Sequence, residues 1–297
     1  MKAAVAISVA LVALAAAGAG QASELIDRNA QNVRLAVNAN GQALATYRVR
    51  GRVMHVRAWG AMDARQPSTS RPQVAFRKDY SGRGWASFGN QCRAYDGPAI
   101  AFRVAACAAP DGSYWALQAW RRTLPNFDGK PGGRLGAWEL HLSHWSGPIA
   151  SLEAWTDWVY GGRYHHLFGR LTYAGHPVYG FSANRYGSPT DSYGRNIYVD
   201  TFNSRYGKGW RRENAFLAHN PTGIFCYGFY KFTPRGPGNG AQYRLSAVGP
   251  GVTPDVSVTV PGLHDYDLNS SADVAYERRQ NALLDSIVGV DKKCRAH

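Results

Sequence analysis

The chain has 297 residues, of which 45% are hydrophobic and 18% charged, and its formal net charge is +14 at pH 7. Beyond residue 22 no stretch approaches the ~20 consecutive apolar residues of a membrane-spanning helix, which excludes a spanning segment there. Of the 34 basic residues 27 are arginines, scattered along the chain. That pattern favours long-range attraction to acidic polymers, and no recognised nucleic-acid-binding module accompanies it.

Residues 1–22 predict a secretory signal peptide. Lys2 supplies a positive start, an uncharged Ala-rich run follows, and the segment closes with small residues that end at Ala22. We therefore expect a protein that is secreted or held at the cell surface and is cleaved near Ala22. Ser23 or Glu24 would then be the first mature residue.

Residues 23–122 predict a small antiparallel β domain. Asn-Gly and Asp-Gly pairs at 40–41 and 111–112 are strong hairpin signals, and runs of alternating apolar and polar residues flank them. The following segment, 123–133, is rich in Pro and Gly and predicts a linker or a long loop.

The four cysteines of an exported chain predict two disulfides. Three connectivities are possible. We favour Cys92–Cys107, which are close in sequence, together with Cys226–Cys294, which would tether the C-terminal tail to the body. Neither pair has the spacing of metal ligands, so we expect no metal site and no cofactor.

Residues 134–262 predict a larger β-sandwich domain. In its first two strands, 137–145 and 149–158, apolar and polar residues alternate. If these strands pair through a three-residue loop, His141 lies opposite Glu153 and the polar side chains share one face. That face would carry Glu139, His141, Trp145, Glu153, Trp155 and Asp157.

This face suggests a ligand-binding surface. Trp145 and Trp155 would present flat apolar rings beside the carboxylate of Asp157. Sugars combine C–H patches with hydroxyl groups, so they suit such a mixture. The opposing interpretation is that other parts of the protein bury both tryptophans.

The same face also suggests the active site of an enzyme. Glu139 would lie diagonal to Glu153, with Cα atoms ~7–8 Å apart. Two carboxyl groups at such a separation, with His141 beside them, would suit a glycoside hydrolase.

The adjacent His165 and His166 lie in a strand-like segment. Neighbouring residues of a strand point to opposite faces, so the two side chains cannot enter one metal site from the same side. We expect each to have a structural role.

Residues 167–203 carry a pattern of glycines and turn residues. Its elements are Gly169, Thr172, Gly175, Pro177, Val178, Gly180, Thr190-Asp191, Gly194-Arg195 and Tyr198. The segment resembles the carboxypeptidase regulatory-like modules of the transthyretin and immunoglobulin-like group. This resemblance implies an immunoglobulin-like β-sandwich with an accessory or adhesive role and without catalytic residues.

Residues 263–297 predict a C-terminal tail that contains a helix at about 271–288. Capping residues precede it, Asp273 lies in its first turn and Gly289 follows its end.

These patterns together predict an all-β, monomeric, exported protein with two β domains and a C-terminal helix. Its leading function is binding of a glycan or another anionic polymer, and nucleic acid is not expected as a partner. The alternatives are a glycoside-active hydrolase and a structural or protein-interaction module.

Overall fold

The structure is a computed structural model. It describes residues 23–60, 76–122, 137–162, 164–177, 181–183, 189–191, 197–204, 207–217, 223–230, 240–248 and 253–288. Within these residues the chain forms eighteen strands and one helix, which confirms the expected all-β class with a C-terminal helix.

Eight strands form the first part of the fold: β1 (Glu24–Arg28), β2 (Gln31–Val37), β3 (Ala43–Val49), β4 (Arg52–Trp59), β5 (Arg77–Asp79), β6 (Arg103–Ala108), β7 (Tyr114–Arg122) and β8 (Ala137–Trp145). The remaining elements are β9 (Ser151–Val159), β10 (Tyr164–Tyr173), β11 (His176–Pro177), β12 (Phe181–Ala183), β13 (Pro189–Asp191), β14 (Ile197–Ser204), β15 (Gly207–Leu217), β16 (Ile224–Tyr230), β17 (Gln242–Ala247), β18 (Val256–Pro261) and α1 (Ser271–Val288).

Strands β1 to β8 form two antiparallel sheets that pack face to face as a first sandwich. Sheet I has the order β1-β8-β7-β6, and sheet II has the order β2-β3-β4-β5. Alternation along each strand decides which side chains enter the core. On β3, for example, Ala45 and Tyr47 are buried in it, whereas Thr46 and Arg48 point away. The buried residues of this core are Ile26, Val37, Ala43, Ala45, Tyr47, Val56, Ala58, Cys107, Ala109, Trp115, Leu117, Leu140 and Leu142.

Strand β1 joins the two sheets along one edge. It pairs with β8 in sheet I, and its side chains bond to sheet II. The Lys78 ammonium of β5 lies 2.6 Å from the Glu24 carboxylate, and the Tyr47 hydroxyl donates to Asp27 at 3.0 Å. The sandwich is therefore closed by polar contacts at this edge.

Residues 80–92, which we call the crossover, pass over the outer face of sheet II. They begin beside β5 at one edge of the sheet. At the other edge the Gln91 N–H donates to the Val37 carbonyl at the end of β2, with an N to O distance of 2.6 Å. The crossover therefore spans the whole width of the sheet.

The disulfide between Cys92 and Cys107 forms as predicted, with Cα atoms 5.4 Å apart. It fixes the end of the crossover to β6, where Cys107 is fully buried. Cys226 of β16 is also disulfide-bonded. Its predicted partner, Cys294, lies outside the described residues.

Strands β9 to β18 form a second sandwich. In sheet III the central strand β10 pairs with β9 along one edge and with β16 and β11 along the other. Sheet IV has the order β15-β14-β17-β18, and β12 pairs with β13 as a separate ribbon. The core between sheets III and IV is formed by Ala150, Leu152, Ala154, Leu167, Leu171, Ile197, Val199, Phe225, Tyr243, Leu245, Ala247, Val256 and Val260.

Helix α1 covers the outer face of sheet III and has the bounds that the sequence predicts. Leu284 is fully buried against Phe168 and Ile224, and Leu283 and Ile287 pack at its side. In the described part of the chain no helix has the length and apolar character needed to cross a membrane.

The two sandwiches meet through the outer faces of sheets I and IV, a contact that we call the joint. The ring of Trp120 on β7 packs against Tyr198 on β14 with centroids 5.4 Å apart. The guanidinium of Arg244 on β17 lies over the ring of Phe102, 5.5 Å from its centroid. The layers therefore follow the order sheet II, sheet I, sheet IV, sheet III and α1.

The predicted hairpin of residues 137–145 with 149–158 is wrong. Strand β8 pairs with β1 and β7 in sheet I, whereas β9 pairs with β10 in sheet III. Alternation shows which side chains share a face but does not identify the neighbouring strand. Strand β8 thus lies in the first sandwich, although the sequence places it in the domain 134–262. The predicted linker 123–133 lies outside the described residues, and the strands on either side of it, β7 and β8, pair with each other.

Candidate functional site

Glu139, His141 and Trp145 lie on one face of β8, as predicted, but that face is buried. Their exposed fractions are 3%, 5% and 1%. Glu139 and His141 lie in the joint, and Trp145 is covered by the ring of Tyr95, with centroids 6.1 Å apart. Because no solvent-side ligand can stack on a covered ring, Trp145 does not form the predicted sugar platform.

Asp255, the residue before β18, connects the two sandwiches at the joint through hydrogen bonds. Its main-chain N–H donates to Gln118 Oε1, and Gln118 Nε2 donates to its carbonyl, both at 2.8 Å. Its carboxylate accepts a hydrogen bond from the Trp120 indole at 2.9 Å and lies 3.5 Å from Nδ1 of His141. All four side chains are at most 5% exposed. Buried polar atoms of the first sandwich therefore find their hydrogen-bond partners in the second sandwich.

His141 also contacts two groups of the first sandwich. Its Nδ1 lies 2.9 Å from Ser23 Oγ, and its Nε2 lies 3.3 Å from Glu139 Oε2. A hydroxyl, an imidazole and a carboxylate in contact are the parts of an activated nucleophile. Here each of the three residues is at most 5% exposed, so a substrate has no access to the hydroxyl. The chemistry that remains is hydrogen bonding within the joint.

The predicted carboxylate pair is not assembled as one strand pair. Glu139 is in sheet I, where the Arg28 guanidinium lies 3.1 Å from its carboxylate. Glu153 is in sheet III, where it is opposite Arg170 and bonds to the guanidinium of that residue. The predicted contact of His141 with Glu153 is also wrong, because their strands belong to different sheets.

Trp155 and Asp157 lie on the face of sheet III that α1 covers. Trp155 is half-buried, and its ring stacks on Phe168 with centroids 5.6 Å apart. Asp157 is fully buried and bonds to His166 Nδ1 at 2.8 Å. Burial raises the pKa of the Asp157 carboxyl, whereas the contact with His166 opposes that rise. Neither residue belongs to an open ligand surface.

The two adjacent histidines project to opposite faces of β10, as predicted. His165 lies opposite Trp158, whereas His166 lies opposite Asp157. Both are buried. A shared metal site is thus excluded at this pair, and the described residues hold no group of three or more ligands suited to a metal ion.

The outer face of sheet II is partly covered by the crossover but still exposes several side chains to solvent. Alternation on β2, β3 and β4 places the core residues on one side and a basic and aromatic set on the other. We call this set, together with Trp85 of the crossover, the arginine–tryptophan face. Its members are Arg34, Thr46, Arg48, Val53, His55, Arg57, Trp59, Arg77, Asp79 and Trp85.

Trp85 is the most prominent ring of this face. It is 52% exposed, and it stacks on His55 with centroids 4.4 Å apart and ring planes 5° from parallel. The His55 Nδ1 in turn lies 3.1 Å from the hydroxyl of Thr46. One side of the indole is therefore supported by the sheet while the other remains available for a ligand.

Arginines give the face its charge. Among its described members the charged side chains are four arginines and Asp79. Arg57 Nη2 donates to the Asp79 carboxylate at 3.1 Å, and its guanidinium lies 6.0 Å from the centroid of Trp59. Hydrogen bonds from Ser81 lower the pKa of Asp79, so this carboxylate stays ionised and orients Arg57. The surface is positively charged and carries an open aromatic ring.

The sequence contains part of the signal for this face. Along β4, His55 and Trp59 alternate with Val56 and Ala58, so their position opposite the core could have been found from periodicity. Trp85 lies in an irregular segment without periodicity. Its position over His55 depends on the path of the crossover, which the sequence does not show.

No family model, curated protein or solved structure matches this chain. The function is therefore argued from the chemistry of the arginine–tryptophan face.

Proposed function

We propose that the protein is exported, acts as a monomer and binds an acidic polysaccharide or a related anionic polymer on the arginine–tryptophan face. The observation that carries this proposal is Trp85, a half-exposed ring held over His55 on a face that also carries four arginines. The predicted signal peptide and the predicted preference for acidic polymers support it. The site differs from the predicted one, since Trp145 is buried in the first sandwich.

The charge of the face supports an anionic ligand. Arg34 and Arg48 are exposed on neighbouring strands, and Arg77 is exposed at the far edge of the sheet. Guanidinium groups bond well to carboxylate and phosphate because their donors form a planar fork. Attraction to a polymer that carries many such groups acts over ~10 Å at 0.1 M salt.

The hydrolase alternative has no comparable support. Its two carboxylates, Glu139 and Glu153, lie in sheets I and III, and Glu139 is buried in the joint. A general acid must be within hydrogen-bond reach of the substrate. Nothing in the described geometry places a glycosidic bond between these two residues.

Binding to a gel of immobilised polygalacturonate, with neutral dextran as the control matrix, tests the proposal. The chain without residues 1–22 should be retained on polygalacturonate alone. It should elute as the salt rises towards 1 M, where charges are screened within ~3 Å. Retention that does not depend on salt would contradict an electrostatic contact.

A matched pair of double variants locates the site. Arg34→Gln with Arg48→Gln removes two charges from the face, whereas Arg278→Gln with Arg279→Gln removes two exposed charges from α1. Both variants have the same net charge. The first should elute at clearly lower salt than the second, and equal elution would show that binding follows net charge alone.

A further inference from the structure

The geometry around Trp85 indicates which class of anionic polymer the face would bind. We infer that the ligand is a polysaccharide of pyranose rings that carry carboxylates, with one ring stacked on the open side of Trp85. This inference rests on the proposed function, because it identifies the ligand of the same face.

The first argument is the supported ring. Trp85 is parallel to His55 within 5°, and the Thr46 hydroxyl fixes the imidazole. Such an indole needs little ordering when a ligand arrives, which reduces the entropic cost of binding. A flat apolar surface fits the C–H face of a sugar ring. An acyclic polyol phosphate or a polyphosphate chain has no corresponding face.

The second argument is the position of the cations. Arg34, Thr46 and His55 lie directly opposite one another on three neighbouring strands, so Arg34 is two strand spacings, ~10 Å, from His55. Arg57 lies two residues along β4 on the same face, a distance of ~7 Å. The cations thus flank the stacked ring instead of lying beneath it. This arrangement suits carboxylates on the sugars before and after the one that stacks.

Single-stranded nucleic acid is the competing ligand, since bases also stack on aromatic rings beside arginines. Proteins of that kind present several open rings to successive bases. Among the described residues of the arginine–tryptophan face, Trp85 is the one ring that is more than half exposed. The geometry therefore favours one stacked sugar over a run of stacked bases.

Calorimetric titration of the chain without residues 1–22 tests the inference with three probes: oligogalacturonate, inorganic polyphosphate of equal charge and oligothymidylate. Trp85→Ala should weaken the affinity for oligogalacturonate about tenfold and leave that for polyphosphate unchanged. Trp85→Phe, which keeps a ring, should restore part of the affinity. Trp138→Ala is the matched control, because Trp138 on β8 is 53% exposed and lies outside the face, and it should change neither affinity.

Each remaining outcome has a defined meaning. An equal effect of Trp85→Ala on both probes, or no effect on either, would overturn the stacked sugar but leave the binding of anionic polymers intact. Tighter binding of oligothymidylate, lost in Trp85→Ala, would identify nucleic acid as the ligand and also overturn the inference. Failure of the unaltered chain to bind any probe would refute the proposed function itself.

Discussion

Sheets I and II each turn one face away from their common core, and both of these faces carry tryptophan, histidine and charged side chains. On sheet I, Trp120, Glu139 and His141 are at most 5% exposed because sheet IV lies against them. On sheet II, Trp85 is 52% exposed and Arg48 is exposed as well. Similar residue types therefore serve an internal contact on one side of the sandwich and a solvent surface on the other.

The hydrogen bonds of the two faces explain the difference. On sheet I several of them run to a residue of the other sandwich, as in the two bonds between Gln118 and Asp255. On sheet II the side chains bond to groups of the same sandwich, as between Thr46 and His55 or Arg57 and Asp79. A polar face whose partners come from another layer contributes to stability, whereas one that fixes its own side chains is ready for a ligand.

The largest expected effect on stability comes from replacing Trp145 of sheet I and Trp85 over sheet II by alanine, one at a time. Trp145→Ala should lower the free energy of unfolding by ~3–5 kcal/mol, the cost of deleting a buried aromatic side chain. Trp85→Ala should change it by less than ~0.5 kcal/mol, as is usual at the surface. Chemical denaturation of both variants measures the difference. Similar losses in the two would remove the distinction between the faces.

A smaller effect is expected at the joint. Gln118→Ala leaves the N–H and the carbonyl of Asp255 without their side-chain partner, and each unsatisfied buried group costs ~1–3 kcal/mol. Gln31→Ala, at an exposed position of β2, should have almost no effect and serves as the control. If both variants unfold at the same denaturant concentration as the unaltered chain, the joint does not contribute to stability as described.

The third prediction extends the comparison to the face beneath α1, where the effect depends on pH. Burial raises the pKa of Asp157, so the folded protein holds the carboxyl proton more tightly than the unfolded chain. The stability that this proton contributes is greatest below the ordinary aspartate pKa of 3.8, and it is lost as the pH rises through the raised value. Asp157→Asn cannot ionise, and its melting temperature should therefore rise relative to the unaltered chain as the pH approaches neutrality.

Melting curves of the unaltered chain and of Asp157→Asn, recorded from below pH 3.8 to neutrality, provide the measurement. The substitution is close to isosteric, and its amide can still bond to His166. Asp265→Asn, at an exposed position before α1, is the control and should follow the unaltered chain. If the melting temperatures of Asp157→Asn and the unaltered chain change with pH in the same way, Asp157 has the same pKa in the folded and unfolded states.

Local patterns were sufficient for much of the fold. The short separation of Cys92 and Cys107 predicts their disulfide, and the capping residues, with Gly289 after the last turn, predict α1 with its bounds. The alternation in 137–145 correctly showed that Glu139 and His141 share a face. It did not show that β8 pairs with β7, since pairing between distant strands depends on the whole core and not on one period.

The exposure of a face is likewise not a local property. Alternation alone predicts Trp145, Trp155 and Asp157 as binding residues, and two of them are covered by elements distant in sequence. Asp157 lies under α1, more than a hundred residues further along the chain, and Trp155 is half-buried there. The exposure of Trp85 cannot be predicted in this way, because the crossover is irregular and shows no alternation of apolar and polar residues.

The order of the layers gives the molecule two chemically different ends. Four sheets separate α1 from the arginine–tryptophan face, and sheets packed face to face lie ~10 Å apart, so about 30 Å separates the outermost sheets. A sugar ring stacked on Trp85 would therefore lie about 30 Å or more from the helix at the opposite end. The two ends of the molecule can therefore make separate contacts, with a ligand at the arginine–tryptophan face and with other groups at α1.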